Sequence, residues 1–146
     1  MILADEAATA ALGARLAGLL GASDVIALTG PLGVGKTTLV RALLAALGHA
    51  GEVPSPSFAI VQPYEALDPP VLHVDLFRVE HSSELAELGL DDAATAAALL
   101  VEWPERAGPA AWPHALRLSL EFVAGGARRL TAEVPPPWEG RWPPQP

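Results

Sequence analysis

The run Gly30 to Thr38, GPLGVGKTT, constrains this chain more than any other. Read as Gly30, four residues, then Gly35-Lys36-Thr37, it fits the phosphate-loop pattern G-x-x-x-x-G-K-[ST] at every fixed position. Glycines let the backbone turn with positive φ and bring amide N–H groups close to phosphate oxygens. A lysine at the position of Lys36 supplies a point charge for β- and γ-phosphates, and a hydroxyl at Thr37 is placed to ligate Mg²⁺. The candidate nucleotide-binding residues are therefore Gly30, Leu32, Gly33, Val34, Gly35, Lys36, Thr37 and Thr38, with Thr37 also a candidate metal ligand.

The flanking sequence agrees with the loop. Val25 to Thr29 is a short apolar run that reads as a buried parallel strand. Thr37 to Leu47 reads as a helix, with Gly48 where a helix-ending glycine belongs. Strand, loop and helix in that order hold phosphate at the positive helix N-terminus. Composition sharpens the point, because the nine Lys and Arg residues are eight arginines and a single lysine, Lys36. A chain of this composition produces the motif by chance on the order of once per thousand. The lone lysine also excludes the [NT]KxD element with which guanine-specific proteins pack their base, so adenine is favoured by elimination.

A chain of 146 residues carries one domain. Its formal net charge of −8 argues against a broad electrostatic hold on nucleic acid. Any contact with RNA is expected through a partner. The absence of cysteine excludes disulfides and thiolate metal sites. With no basic, apolar leader at the N-terminus and no stretch long enough to span a bilayer, a cytoplasmic protein is expected, without membrane contact.

Around the loop, the pattern predicts an α/β fold, a single domain with a mixed, mostly parallel sheet flanked by helices. Residues 5–20 place Leu12, Leu16, Leu19 and Leu20 at helical spacing, with Gly21 as the stop. Pro54-Ser55-Pro56-Ser57 enforces an extended connection whose hydroxyls could face a γ-phosphate. Residues 59–64 and 71–77 read as strands, residues 82–89 as a short serine-capped helix, and 91–97 as another. A third strong strand covers Ala98 to Trp103. Leu116 to Val123 and Arg128 to Val134 alternate around Gly125-Gly126 as an antiparallel hairpin at a sheet edge. Residues 1–134 are thus the expected domain. The proline-rich residues 135–146 are expected to be a disordered tail.

Hydrolysis would need a carboxylate at the end of a buried strand to serve metal and water. Two fit, Asp75 after VLHV and Glu102 after ALLV, and both are candidate catalytic residues and metal ligands. The sequence leaves open which contacts the metal and which orients water. Arg78 and Arg106 follow these acids and suit either phosphate, a partner carboxylate or a surface ion pair. His73 lacks companions at metal-ligand spacing and reads as a core or supporting histidine. Trp103 is either core or a lid over the nucleotide.

The ordered set GPLGVGKTTLVRALLAALG, SPSF, HVDLFR and LVEWPER resembles the TsaE family, the YjeE-type ATPases of tRNA threonylcarbamoyladenosine (t6A) biosynthesis. The resemblance runs from about Leu12 to Val134. It implies that the loop residues bind ATP and Mg²⁺, with Asp75 and Glu102 serving metal and water and Trp103 near the nucleotide. Ser55 and Ser57 would lie in a switch-like loop. It also implies work with TsaB and TsaD, which modify adenosine 37 of tRNA, the ATPase resetting the complex and turning over weakly alone. This chain departs from the family pattern at Pro31, where an acid is frequent, at Ser57, where threonine is usual, and at Phe58 and Phe77, where tyrosine is common. Two other functions use the same loop, a small-molecule kinase and a nucleotide-dependent binding switch with negligible turnover.

Overall fold

The computed structural model describes residues 1–54 and 61–144. The expected loop serines Ser55 and Ser57, and the start of the strand expected from Ala59, lie outside the described residues. In chain order the elements are β1 (Ile2–Leu3), α1 (Glu6–Ala17), β2 (Val25–Thr29), α2 (Lys36–Ala46), β3 (Val61–Tyr64), β4 (Val71–Asp75), α3 (Leu90–Ala93), β5 (Ala98–Glu102), β6 (Leu116–Phe122) and β7 (Arg128–Glu133). Among the described residues, seven strands form one mixed sheet in the order β1-β7-β6-β2-β5-β4-β3. The central four, β6-β2-β5-β4, are parallel, and the outer pairings are antiparallel.

The uninterrupted apolar runs became the central strands because both faces of the sheet are covered. Ile26 and Leu28 of β2 point into a core shared with α1 and α2. Val25 and Ala27 point into a second core with Leu99, Val101, Val74 and Leu90. Pro63, which lacks an N–H, falls in β3 at the sheet edge, where one missing donor is tolerated.

Helix α1 begins where Asp5 accepts the Ala8 N–H on its carboxylate at 2.8 Å. It packs along α2 at close range. A Cβ on Gly13 would stand 2.8 Å from both the Leu39 carbonyl oxygen and the Ala42 Cβ, so this crossing requires glycine. The helix closes at Gly18, three residues before the expected Gly21.

Three further expectations are corrected. The β6–β7 hairpin does not lie bare at the edge, because the two-residue β1 pairs with β7 at Arg128 and Arg129. Residues Ser82–Leu88 form a 3₁₀ helix rather than a serine-capped α-helix, with no side-chain cap and only Leu85 and Leu88 partly buried against the second core. The segment after Val134 is not a disordered tail through its described residues. Trp138 is fully buried in the core shared with α1 and α2. Arg141 stacks on that ring at 4.0 Å and grips Asp24, with Nη1 to Oδ1 at 3.2 Å and Nη2 to Oδ2 at 2.5 Å. One buried indole and one ion pair outweigh the extended bias of the prolines.

Candidate functional site

Parallel pairing brings the chemistry to one edge of the sheet. β2 lies between β6 and β5, so the loop leaving Thr29 emerges at the sheet centre, and Asp75 and Glu102 end β4 and β5 in register with each other. Ligand sites of open α/β sheets form at such carboxyl ends.

The loop itself turns through Gly30, Gly33 and Gly35, all at positive φ. Gly30 is the position with no alternative, since its φ is 142° and a Cβ there would lie 2.5 Å from the Leu120 carbonyl oxygen. Gly35, at φ 117°, leads into α2. The loop is tied from behind by Arg128, whose Nε donates to the Val34 carbonyl at 2.9 Å. The Val34 side chain is core and its amide donates to the Pro31 carbonyl at 3.3 Å.

A cavity of about 310 Å³ opens over this loop. Its floor is Leu32, Gly33, Gly35, Lys36, Thr37 and Thr38, and its far wall is Asp75, Glu102 and Trp103. Every expected site residue but Gly30 and Val34 therefore lines one cavity, and those two shape the loop beneath it.

Inside the cavity, the Thr37 hydroxyl donates to Glu102 Oε1 at 3.0 Å, with Oε2 at 3.3 Å. Glu102 is only 2% exposed. Its Oε2 also meets His73 Nε2 at 2.6 Å, and His73 is itself fully buried. The Lys36 ammonium donates to the Gly30 carbonyl and lies 3.8 Å from the centroid of the Trp103 ring. Burial pushes the Lys36 pKa down, opposed by the charges of Glu102, Glu105 and Asp75. Burial raises the Asp75 pKa, with Glu102 adding to it, while the Phe77 N–H on Oδ1 at 2.9 Å, His73 and Lys36 favour the anion.

The donor set suits a divalent ion carried by a nucleotide. Mg²⁺ is commonly held by one or two carboxylates together with substrate phosphates and water, without a cage made wholly of protein. Among the described residues no cluster of three or more His, Asp or Glu could hold a metal alone. A threonine hydroxyl beside one buried carboxylate has the chemistry that the protein half of such a site would need.

Sequence reasoning gave Phe77 no place in the site and left the readings of Arg78, Arg106 and His73 open. Phe77 lies against Trp103, ring centroids 5.0 Å apart, and both it and Arg78 line the cavity. His73 supports Glu102 across two strands, which spacing along one strand could not reveal. Arg106 is exposed and sits 6.0 Å above the Phe77 ring.

Fold and loop together define an α/β domain with a phosphate-loop sequence between its central parallel strand and the following helix. The family model described as "Threonylcarbamoyl adenosine biosynthesis protein TsaE" matches residues 3–130, and the chain belongs to the TsaE family. A Streptomyces coelicolor protein named "tRNA threonylcarbamoyladenosine biosynthesis protein TsaE" is 40% identical over 117 residues, 78% of this chain and 79% of that one. An Aquifex aeolicus protein of the same name is 40% identical over 114 residues, 75% of this chain and 79% of its own. Among solved structures, Bacillus subtilis YdiB superposes with a TM-score of 0.77 at 26% identity, covering 90% of this chain and 82% of that one. No helix among the described residues is long and apolar enough to cross a membrane.

Proposed function

We propose that this protein is an Mg²⁺-dependent ATPase of tRNA t6A biosynthesis, working in the cytoplasm with TsaB and TsaD and meeting tRNA only through them. The observation that carries the catalytic part is the Thr37–Glu102 hydrogen bond beside Lys36 in a single cavity. The names of the relatives support the pathway, and the net charge of −8 fits a subunit that does not hold tRNA itself.

In this reading the amides of Leu32 to Gly35 and the Lys36 ammonium bind the β- and γ-phosphates, and Thr38 bounds the same floor. Thr37 and Glu102 would hold Mg²⁺, which when bound draws charge from the phosphate oxygens. Asp75, at the end of the neighbouring strand and less buried than Glu102, orients the attacking water. Trp103 and Phe77 cover the reacting end and limit its exposure to solvent. Hydrolysis then returns the partner complex to its starting state.

The test is ATP turnover by purified protein, alone and with the TsaB–TsaD pair. Low turnover alone that rises with the pair and is lost in Glu102→Ala supports the proposal. Turnover indifferent to the pair removes the partner assignment. Retention of pair-dependent function in Glu102→Ala, with ATP still bound, would point to a binding switch without hydrolysis.

A further inference from the structure

His73 is fully buried on β4, two residues before Asp75, and its ring faces the same side of the sheet as Glu102 and α2. Its Nε2 is 2.6 Å from Glu102 Oε2. Its other nitrogen, Nδ1, is buried and has no hydrogen-bond partner among the described residues. A histidine kept only for packing would be expected to satisfy both nitrogens or to be replaced by an apolar residue, because an unpaired buried polar atom is costly. Among the described residues this ring makes one bond, to a carboxylate at the site.

We infer that His73 is a positioning residue for Glu102, its Nε2–H fixing the carboxylate so that Oε1 meets the Thr37 hydroxyl. A carboxylate can rotate about its last torsion, which is broad and soft. Two donors on different elements, Thr37 at the start of α2 and His73 on β4, remove that freedom. Supporting groups of this kind orient a metal-binding residue and tune its basicity, and their loss typically lowers metal affinity or activity by about 10- to 100-fold. The inference rests on the proposed metal site, and adds to it a residue that touches neither nucleotide nor metal.

Three forms of the protein test it, wild type, His73→Leu and His73→Gln, each first checked for cooperative thermal unfolding. Leucine fills the space without a donor, while glutamine can place an N–H near the position of Nε2. ADP affinity is measured by calorimetry with and without Mg²⁺. In His73→Leu the metal-free affinity is expected to equal that of wild type, because Lys36 and the loop are untouched. The extra affinity conferred by Mg²⁺ is expected to fall by about 10- to 100-fold, and His73→Gln to restore most of it. A folded His73→Leu protein with undiminished Mg²⁺ dependence overturns the inference.

A second readout is independent of metal and nucleotide. Imidazole ¹⁵N spectra of the nucleotide-free protein should show His73 carrying its proton on Nε2, with a resonance that moves in Glu102→Gln. A proton on Nδ1 alone overturns the positioning role whatever the metal does. Should wild type gain nothing from Mg²⁺ while the Nε2 proton is present, the metal-site reading fails and the contact between His73 and Glu102 stands.

Discussion

The Lys36 ammonium lies against the face of the Trp103 ring, 3.8 Å from its centroid, while donating to the Gly30 carbonyl. A cation held over a ring face is worth about 0.5–2 kcal/mol. Phosphate oxygens offer the ammonium stronger, charge-assisted hydrogen bonds. Nucleotide binding is therefore expected to draw Lys36 off the ring and change Trp103 emission. The change should vanish in Trp103→Phe, although Trp112, Trp138 and Trp142 remain. Lys36→Met should weaken nucleotide binding by about 10- to 100-fold, the worth of a hydrogen bond to a charged group. A titration signal that survives Trp103→Phe would place the responding indole elsewhere.

Asp75 gives a second prediction, about stability. Burial, helped by Glu102, raises its pKa above the ordinary 3.8. The folded state therefore holds this proton more tightly than the unfolded state, and stability falls as pH rises from the unfolded value through the folded one. Above the folded value the whole cost is present. Asp75→Asn keeps an oxygen for the Phe77 N–H but carries no charge. It should be more stable than wild type at pH 7 in urea unfolding, with the gap narrowing as pH is lowered toward 3.8, while turnover is lost. A variant no more stable than wild type at pH 7 would mean that solvent or neighbouring charge already relieves the carboxylate.

The parts of this molecule that sequence revealed are the local ones. Val25–Thr29 was expected and observed as a strand, the helix after the loop shifted by one residue at each end, and β4 and β5 fell within their expected runs. Apolar runs and glycine spacing encode those directly. What stayed hidden depends on pairing between distant segments. Ile2–Leu3 is too short to show any period and exists as a strand only because β7 receives it. The His73–Glu102 contact depends on β4 lying beside β5, which neither strand states alone. The choice between Asp75 and Glu102 could not be made from two similar strand ends. The proposed assignment of Glu102 to the metal rests on Thr37, whose hydroxyl reaches Glu102.

The segment around Trp138 was hidden for a related reason, and it yields the third prediction. Proline content describes the backbone's local bias, whereas Trp138 finds its burial among residues far away in sequence. Arg141 fixes the segment to Asp24, and its Nη2 also donates to the Leu19 carbonyl at 2.5 Å. Asp24 is the residue before β2, so this clasp sits at the opposite end of that strand from Gly30, about 20 Å away over six residue steps. Trp138→Ala should cost about 3–5 kcal/mol in urea unfolding, as for other fully buried aromatic side chains. Arg141→Ala should cost about 1.5–3 kcal/mol, because it leaves a largely buried Asp24 carboxylate without its cation. Nucleotide affinity should be unchanged in Arg141→Ala at temperatures where the variant is folded, since nothing in the clasp touches the loop. A loss of affinity there would show that β2 transmits strain along its length, and would make this segment part of the site's machinery instead of a brace for the core.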